Sequence, residues 1–183
     1  RIAYLAGSLA HFSIRERAQG YRRALFEAQR LADPDLEAIA PPGLDAEQGA
    51  EHAMRRLLRL REPPDAVFAY NDAAALAALP VCREAGLRVP QDVSVVGYDD
   101  SPLIAFTDPP LTTIRQNVTA MSEAAVAALI EAIGGSTSRA KEFVFRPELV
   151  VRGSTAPCIV QLRPRVAPRP RALHAAEPRA KRS

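Results

Sequence analysis

The chain has 183 residues, of which 48% are hydrophobic and 25% charged, and this size and make-up suit one or two globular domains. The formal charge of +3 is misleading, because residues 159–183 hold seven basic side chains and one acidic one, and the other 158 residues carry a net charge of −3. That acidic body does not indicate a nucleic-acid surface, and the lack of a leader pattern or of ~18 consecutive apolar residues predicts a cytoplasmic protein without a membrane partner.

Strand and helix patterns alternate along the chain. An apolar run at residues 2–6 predicts a strand, and apolar side chains at three- and four-residue steps from Ile14 to Leu31 predict the amphipathic helix that follows. Further strands are predicted at 36–40, 66–70 and 93–98, with helices at 46–61 and 73–85 between them. This order is typical of a parallel sheet with helices on both faces, so the predicted fold class is α/β.

The remaining elements are less regular. A helix is predicted at 118–133 and an interrupted strand at 143–151, where Pro147 favours an edge position or a bulge. Pro80 lies inside the third helix and predicts a kink or an early end near Ala77, because proline removes a helical hydrogen bond. Residues 159–183 combine proline with arginine and are predicted to be a disordered basic tail. A solvated extension is favoured for this tail over contact with DNA phosphates.

Polar side chains follow three of the predicted strands. Ligands of an open parallel sheet bind beyond the carboxyl ends of its strands, so these side chains predict one crevice for a polar small molecule. Helix capping, turn formation and simple solvation remain the alternatives. The side chains are Arg15 and Arg17 after the first strand, Asn71 and Asp72 after the run AVFAY, and Asp99 and Asp100 after VSVVGY.

Motifs for catalysis are not found in the sequence. The three histidines stand apart from any Cys or Ser motif and show no metal-ligand spacing, and there is no nucleophile elbow or phosphate-binding loop. Cys82 and Cys158 lack the close spacing of a disulfide framework. Asp99 and Asp100 could act as an acid–base pair only if the backbone turns between them. We therefore expect no enzyme activity, no metal and no cofactor.

Several longer motifs carry a family resemblance. The segments "RERAQGYRRAL", "NDAAALAAL", "VSVVGYDDSPLIAFTDPPLTTIRQ" and "RPELVVRGST" occur in one order over residues 1–157. In order and spacing they resemble the effector-binding core of the lactose-repressor (LacI) family of transcription regulators. The resemblance implies a type I periplasmic-binding-protein-like fold, in which two α/β lobes are joined by crossover strands.

The resemblance also implies a division of the chain. Residues 1–112 would form a nearly complete C-terminal lobe, and residues 113–158 the crossover, one helix of the N-terminal lobe and a returning strand. The family's helix-turn-helix, hinge helix and first half of the N-terminal lobe are not found ahead of Arg1. We therefore expect a truncated chain that does not bind operator DNA by itself.

The family's site residues carry over by motif position. The effector contacts implied in this way are Arg17, Asn71 and Asp99, with Gln116 at the crossover, Arg15 beside Arg17, and Leu44 where some members stack an aromatic ring on the ligand. The implied homodimer contact includes Leu76, Leu79 and Phe106, for which ordinary core packing is the alternative.

The implied function is the effector domain of a DNA-binding transcription regulator or repressor. A sugar or related metabolite would favour one lobe orientation and so act allosterically on operator binding. A solute-binding protein of a sugar transport system is the alternative, and a sugar-modifying enzyme is a weaker one.

Overall fold

A computed structural model of the protein describes residues 1–134 and 142–157. Its strands are β1 (Ile2–Ala6), β2 (Glu37–Ile39), β3 (Ala66–Ala69), β4 (Ser94–Asp99), β5 (Thr112–Arg115) and β6 (Glu148–Val150). Its α-helices are α1 (Phe12–Glu27), α2 (Ala46–Leu58), α3 (Asp72–Glu84) and α4 (Val118–Ile133). Two 3₁₀ turns, Pro34–Leu36 and Pro102–Phe106, complete the regular structure of the described residues.

All the strands form one six-stranded sheet in the order β2-β1-β3-β4-β5-β6. The first five strands are parallel, and β6 pairs antiparallel with β5 at the edge. The predicted α/β class is confirmed. The implied lobe boundary at residues 112–113 falls inside β5, which continues the sheet.

The two faces of the sheet bury different side chains. On one face the apolar sides of α2 and α3 pack against β1, β3 and β4, with Met54, Leu57 and Val95 completely buried. On the other face α1 covers β1, where the Tyr4 ring packs 5.5 Å from the rings of Tyr21 and Phe68. Both faces of the parallel strands are therefore apolar, as a doubly covered sheet requires.

The strand order contains a switch point between β1 and β3. The chain leaves β1 through α1 towards β2 on one side, whereas it leaves β3 through α3 towards β4 on the other side. The connections diverge at this point and open a crevice beyond the carboxyl ends of the two strands. The segments that leave β1 and β3 carry Arg15 and Arg17 in α1 and Asn71 at the start of α3.

Several predicted elements are shorter than expected, and two of them differ by four residues or more at one end. The first helix ends at Glu27, because Gln29 takes a positive φ of 55°, and Leu31 beyond it is 96% exposed. The strand predicted at 143–151 is reduced to the three residues of β6. Pro147 directly precedes β6, and the edge position that proline favours is the one observed.

The third helix is not shortened by its proline. It runs to Glu84 with Pro80 inside, so the prediction of an early end near Ala77 is wrong. Pro80 is exposed, whereas Leu79 and Val81 on either side of it are buried in the core. Packing of that apolar face against α2 and the sheet offsets the ~3 kcal/mol that an interior proline costs a helix.

The fourth helix has no buried side chain. Val126, Leu129, Ile130 and Ile133 are all more than half exposed on it, although the helix is rich in apolar residues. No helix in the described part of the chain is long and apolar enough to cross a membrane. The tail 159–183 lies outside the described residues, so its disorder stays a prediction.

Candidate functional site

Side chains from α1, from the end of β4 and from the residue after β5 meet beyond the carboxyl ends of the parallel strands. The Arg17 guanidinium donates to the backbone carbonyl of Tyr70 and, at 3.4 Å, to Oδ1 of Asp99. The Gln116 amide donates to the same Asp99 oxygen at 2.7 Å. Three of the predicted effector contacts therefore lie together, and we call Arg17, Asp99 and Gln116 the Arg17 cluster.

The Arg17 guanidinium lies over the ring of Tyr98, with 3.7 Å between its central carbon and the ring centroid. This cation–π contact and the Tyr70 carbonyl fix the plane of a side chain that is only 17% exposed. Sequence reasoning missed Tyr98. Its signal was the alternation along β4, which turns Tyr98 away from buried Val95 and Gly97 and towards the face that α1 covers.

Asp99 combines an unusual backbone with a perturbed carboxyl group. Its φ is 113°, a region that non-glycine residues rarely adopt. Burial raises the pKa of the Asp99 carboxyl above its usual value, and the Arg17 charge and the Gln116 hydrogen bond only partly oppose that shift. No hydrogen bond within the described residues ends on Oδ2 of Asp99, so this oxygen can accept one from a ligand hydroxyl.

Asn71 caps the third helix. Its Oδ1 accepts a hydrogen bond from the backbone N–H of Ala74 at 2.8 Å. Its amide nitrogen has no partner among the residues that the structure describes, so Asn71 can cap the helix and still donate to a ligand. Both proposed roles of Asn71 are therefore compatible in one side chain.

Asp72 is not the cap. Its side chain is 2% exposed and accepts hydrogen bonds from the Thr113 hydroxyl at 2.6 Å and from the Ser101 backbone N–H at 2.7 Å. A side chain at Gly97 would collide with this carboxylate. Asp72 thus joins the start of α3 to β5 and to the loop that follows Asp99.

Asp100 has a different environment from Asp99. Its carboxylate accepts from Nε of Arg115 and from Nη2 of Arg152, both at 2.6 Å. Burial alone would raise the pKa of the Asp100 carboxyl, but the two arginines outweigh burial and hold the pKa below its usual value. The backbone does turn between the two aspartates, yet they face separate sets of partners and do not form an acid–base pair.

Two of the implied contacts lie apart from the Arg17 cluster. Arg15 donates to the backbone carbonyls of Leu9 and Ala10 and so braces the loop between β1 and α1. Leu44 lies in the loop between β2 and α2, at the same edge of the sheet, and is 42% exposed.

The implied dimer residues differ in how much surface they present. Leu79 is 7% exposed and belongs to the core. Core packing was the alternative to a dimer contact for this residue. Leu76 is partly buried against the same core. Phe106 is 86% exposed and Leu103 is 76% exposed. Both lie in the 3₁₀ turn Pro102–Phe106, so this turn presents an apolar surface.

A polar cavity of about 490 Å³ opens beside Asp99 and Gln116 and extends to the start of α4. Its volume is in the range of small-molecule sites. Among the described residues, no group of three or more His, Cys, Asp or Glu side chains could hold a metal ion. An open parallel sheet with guanidinium, amide and carboxylate groups at its switch point defines a class of binding proteins for polar small molecules.

The chain belongs to the periplasmic binding protein-like domain family, whose model matches residues 1–155. Among curated proteins it is 44% identical over 157 residues to the HTH-type transcriptional regulator MalR of Streptomyces coelicolor, covering 85% of this chain and 45% of that protein. It is 36% identical over 154 residues to the transcriptional repressor PurR of Aliivibrio salmonicida, covering 84% of this chain and 45% of that protein.

Solved structures give the same picture. A complex of the transcriptional regulator CelR with cellobiose matches with a TM-score of 0.77 and 39% identity, over 84% of this chain and 46% of that one. The lac repressor dimer bound to operator and the anti-inducer ONPF matches with a TM-score of 0.74 and 32% identity, over 85% and 52%. The LacI-family resemblance is confirmed, and the transport alternative is not favoured. The chain spans about half the length of the curated relatives it matches.

Proposed function

We propose that this chain is the effector-binding part of a LacI-type transcription regulator and that its effector is a sugar or a related polyhydroxylated metabolite. The observation that carries this proposal is the Arg17 cluster at the switch point of the sheet. The relatives are regulators, and one similar structure holds cellobiose. The protein works in the cytoplasm as a homodimer, without catalysis or a cofactor.

The free polar atoms of the site suit a neutral sugar. A sugar hydroxyl both donates and accepts hydrogen bonds, so it can donate to Oδ2 of Asp99 while a neighbouring hydroxyl accepts from the amide of Asn71. Arg17 and Asp99 neutralise each other before any ligand arrives. A neutral ligand therefore leaves no unbalanced charge in the closed site, whereas an additional anion or cation would.

Lobe closure links binding to regulation. Residues 1–112 would form one lobe, and residues 113–158 would provide the crossover and the helix α4 that belongs to the second lobe. The effector favours one lobe orientation because it contacts both lobes there, and about 1–3 kcal/mol of difference is enough to regulate. Operator DNA would be contacted only through a helix-turn-helix outside residues 1–157.

Calorimetry tests the proposal in the full-length protein. Titration with maltose, cellobiose, glucose, a sugar acid and a purine base should give saturable heat with a sugar. The two roles of Asn71 can be separated, because aspartate caps a helix as well as asparagine does but has no amide donor. Asn71→Asp should keep the unfolding midpoint and lower the affinity for the sugar. Asn71→Ala should lower both the unfolding midpoint and the affinity. A sugar affinity that both variants leave unchanged would remove Asn71 from the site.

A further inference from the structure

Asp100 connects three segments of the sheet. One carboxylate oxygen accepts from Arg115 on β5, and the other accepts from Arg152, which follows β6. The side chains of Asp100 and Arg152 are 11% and 18% exposed, so water competes little for these charge-assisted hydrogen bonds. The carboxylate therefore connects the end of β4 to β5, which precedes α4 in the chain, and to the segment after β6, which follows α4.

Arg152 is itself held by the backbone of the neighbouring strand. Its Nη1 donates to the carbonyl of Leu111, and its backbone N–H donates to the hydroxyl of Thr112, both at 2.9 Å. Arg115 also approaches Glu148 on β6 at 3.5 Å, but Glu148 is 69% exposed and adds little. The strands β4, β5 and β6 also pair through their backbones, and among the charged side chains at this end of the sheet Asp100 makes the contacts that are best shielded from water.

One peptide bond joins this connection to the ligand site. Asp99 has a φ of 113°, which non-glycine residues rarely adopt, and Asp100 follows with a φ of 60°, a left-handed value that aspartate tolerates better than most residues. Arg17 and Gln116 hold the Asp99 side of the turn, and Arg115 and Arg152 hold the Asp100 side. A displacement of β5 or β6 therefore moves the backbone that aims Asp99.

We propose that Asp100 is a positioning residue that couples the Asp99 ligand site to β5 and β6. This inference rests on the proposed function, because it assigns to one side chain the path from bound sugar to crossover strands. Sugar binding fixes the turn at 99–100, and through the two arginines it also fixes β5 and the segment that follows β6. Without the Asp100 carboxylate, the sugar still has its contacts but no longer orders the crossover strands.

Hydrogen exchange in the full-length protein tests this coupling. The probe is whichever of maltose, cellobiose or glucose gives the strongest calorimetric signal with the wild type, added at saturation to each variant. In the wild type the probe should slow amide exchange at residues 112–115 and 148–152 about fivefold or more. In Asp100→Asn the ratio of exchange rates with and without probe should approach one at those residues, while protection persists around Arg17.

A purely structural role of Asp100 gives a different result. Loss of stability alone would speed exchange with and without probe and leave the ratio at its wild-type value, which would overturn the proposal. Glu84→Gln is the matched control and should keep that ratio, because Glu84 is an exposed partner of Arg55 and does not line the cavity beside Asp99. If Asp100→Asn does not fold, Arg115→Gln decides, since Arg115 is 48% exposed and its loss should lower the ratio partway. A wild type that binds none of the three sugars would contradict the proposed function itself and the coupling with it.

Discussion

At the scale of single residues, two adjacent aspartates have opposite electrostatic environments. Desolvation dominates at Asp99 and raises its pKa, whereas two arginines dominate at Asp100 and lower its pKa despite burial. The left-handed backbone of both residues sends their side chains to different partners. Asp99 keeps an oxygen for a ligand, and Asp100 has both oxygens occupied by protein groups.

Sugar binding should weaken as the pH is lowered from neutrality. The ionised carboxylate of Asp99 is the form that accepts hydroxyl donors, and its raised pKa means that protonation begins at a higher pH than for an ordinary aspartate. Calorimetric titrations at descending pH should show this loss in the wild type and a flatter profile in Asp99→Asn. Asp100 contributes little to the profile, because its lowered pKa keeps it ionised over the same range.

The buried carboxylate of Asp72 should contribute strongly to stability. Asp72→Asn replaces one acceptor oxygen with a donor that faces either the Thr113 hydroxyl or the Ser101 N–H. Loss of a charged hydrogen bond at a buried site predicts a decrease of about 1.5–3 kcal/mol in the free energy of unfolding, measured by urea denaturation. Asp35→Asn, at a side chain that is 74% exposed, should change it by less than about 0.5 kcal/mol. Equal effects of the two variants would contradict the network at Asp72.

At the scale of elements, periodicity predicted which segments become helices and strands, but not all of their ends. The alternating pattern located β1 to β4 and α1 to α3, because each buries a regular apolar stripe or run. It also located α4 by its apolar stripe, although none of that stripe is buried. The exact end of α1 depends on the single positive φ of Gln29, and the length of β6 depends on pairing with β5, which is remote in sequence. A local sequence pattern does not predict a single backbone angle or a pairing between segments that are remote in sequence.

The same limit explains the outcome at the site. Arg17 and Asp99 were predicted because they follow strand ends, where the topology brings side chains together, whereas Gln116 was implied only by the family resemblance. The partners of Asp100 were not predicted, because the antiparallel pairing of β5 with β6 brings Arg115 on β5 and Arg152 just after β6 to this carboxylate, and periodicity does not predict that pairing. The stack of Arg17 on Tyr98 depends likewise on how α1 lies over the sheet.

Replacement of Pro80 should stabilise the third helix. Alanine restores the backbone N–H at position 80, which can donate to the carbonyl of Leu76, and it removes the clash of the proline ring with that carbonyl. Part of the gain is lost, because proline lowers the conformational entropy of the unfolded chain and alanine does not. We expect Pro80→Ala to raise the free energy of unfolding by about 1–2 kcal/mol in urea denaturation. Leu87→Ala, at a partly buried site beyond the helix, should instead lower it. A destabilised Pro80→Ala protein would show that the ring makes packing contacts that the helix needs.

At the scale of the whole molecule, one sheet with two apolar cores carries a helix that neither core covers. The cores lie on opposite faces of the sheet and enclose β1, β3 and β4. Helix α4 leaves the carboxyl edge of β5 and presents its apolar residues to solvent. Such a surface is larger than isolated exposed residues explain, and we propose that it packs against another part of the regulator.

A charge introduced on α4 should therefore change the free energy of unfolding more in the full-length protein than in residues 1–157 alone. Leu129 is 60% exposed here, so Leu129→Glu in residues 1–157 should change the free energy of unfolding by less than about 0.5 kcal/mol. In the full-length protein the same change should lower it by about 2 kcal/mol or more, because it buries an unpaired charge. Glu123→Gln, at an exposed position on the same helix, serves as the charge-removing control. Equal, small effects in both lengths would contradict a packed position for α4.

The central claim is that Arg17 and Asp99 bind the same ligand. The most direct test is the calorimetric Kd of the full-length protein for the sugar of the panel that it binds most tightly. Each residue offers the ligand charge-assisted hydrogen bonds, so Asp99→Asn and Arg17→Gln should each raise the Kd about 10- to 100-fold, with Arg23→Gln on the exposed face of α1 as the control. Sugar binding that survives both substitutions with the wild-type Kd would contradict the account.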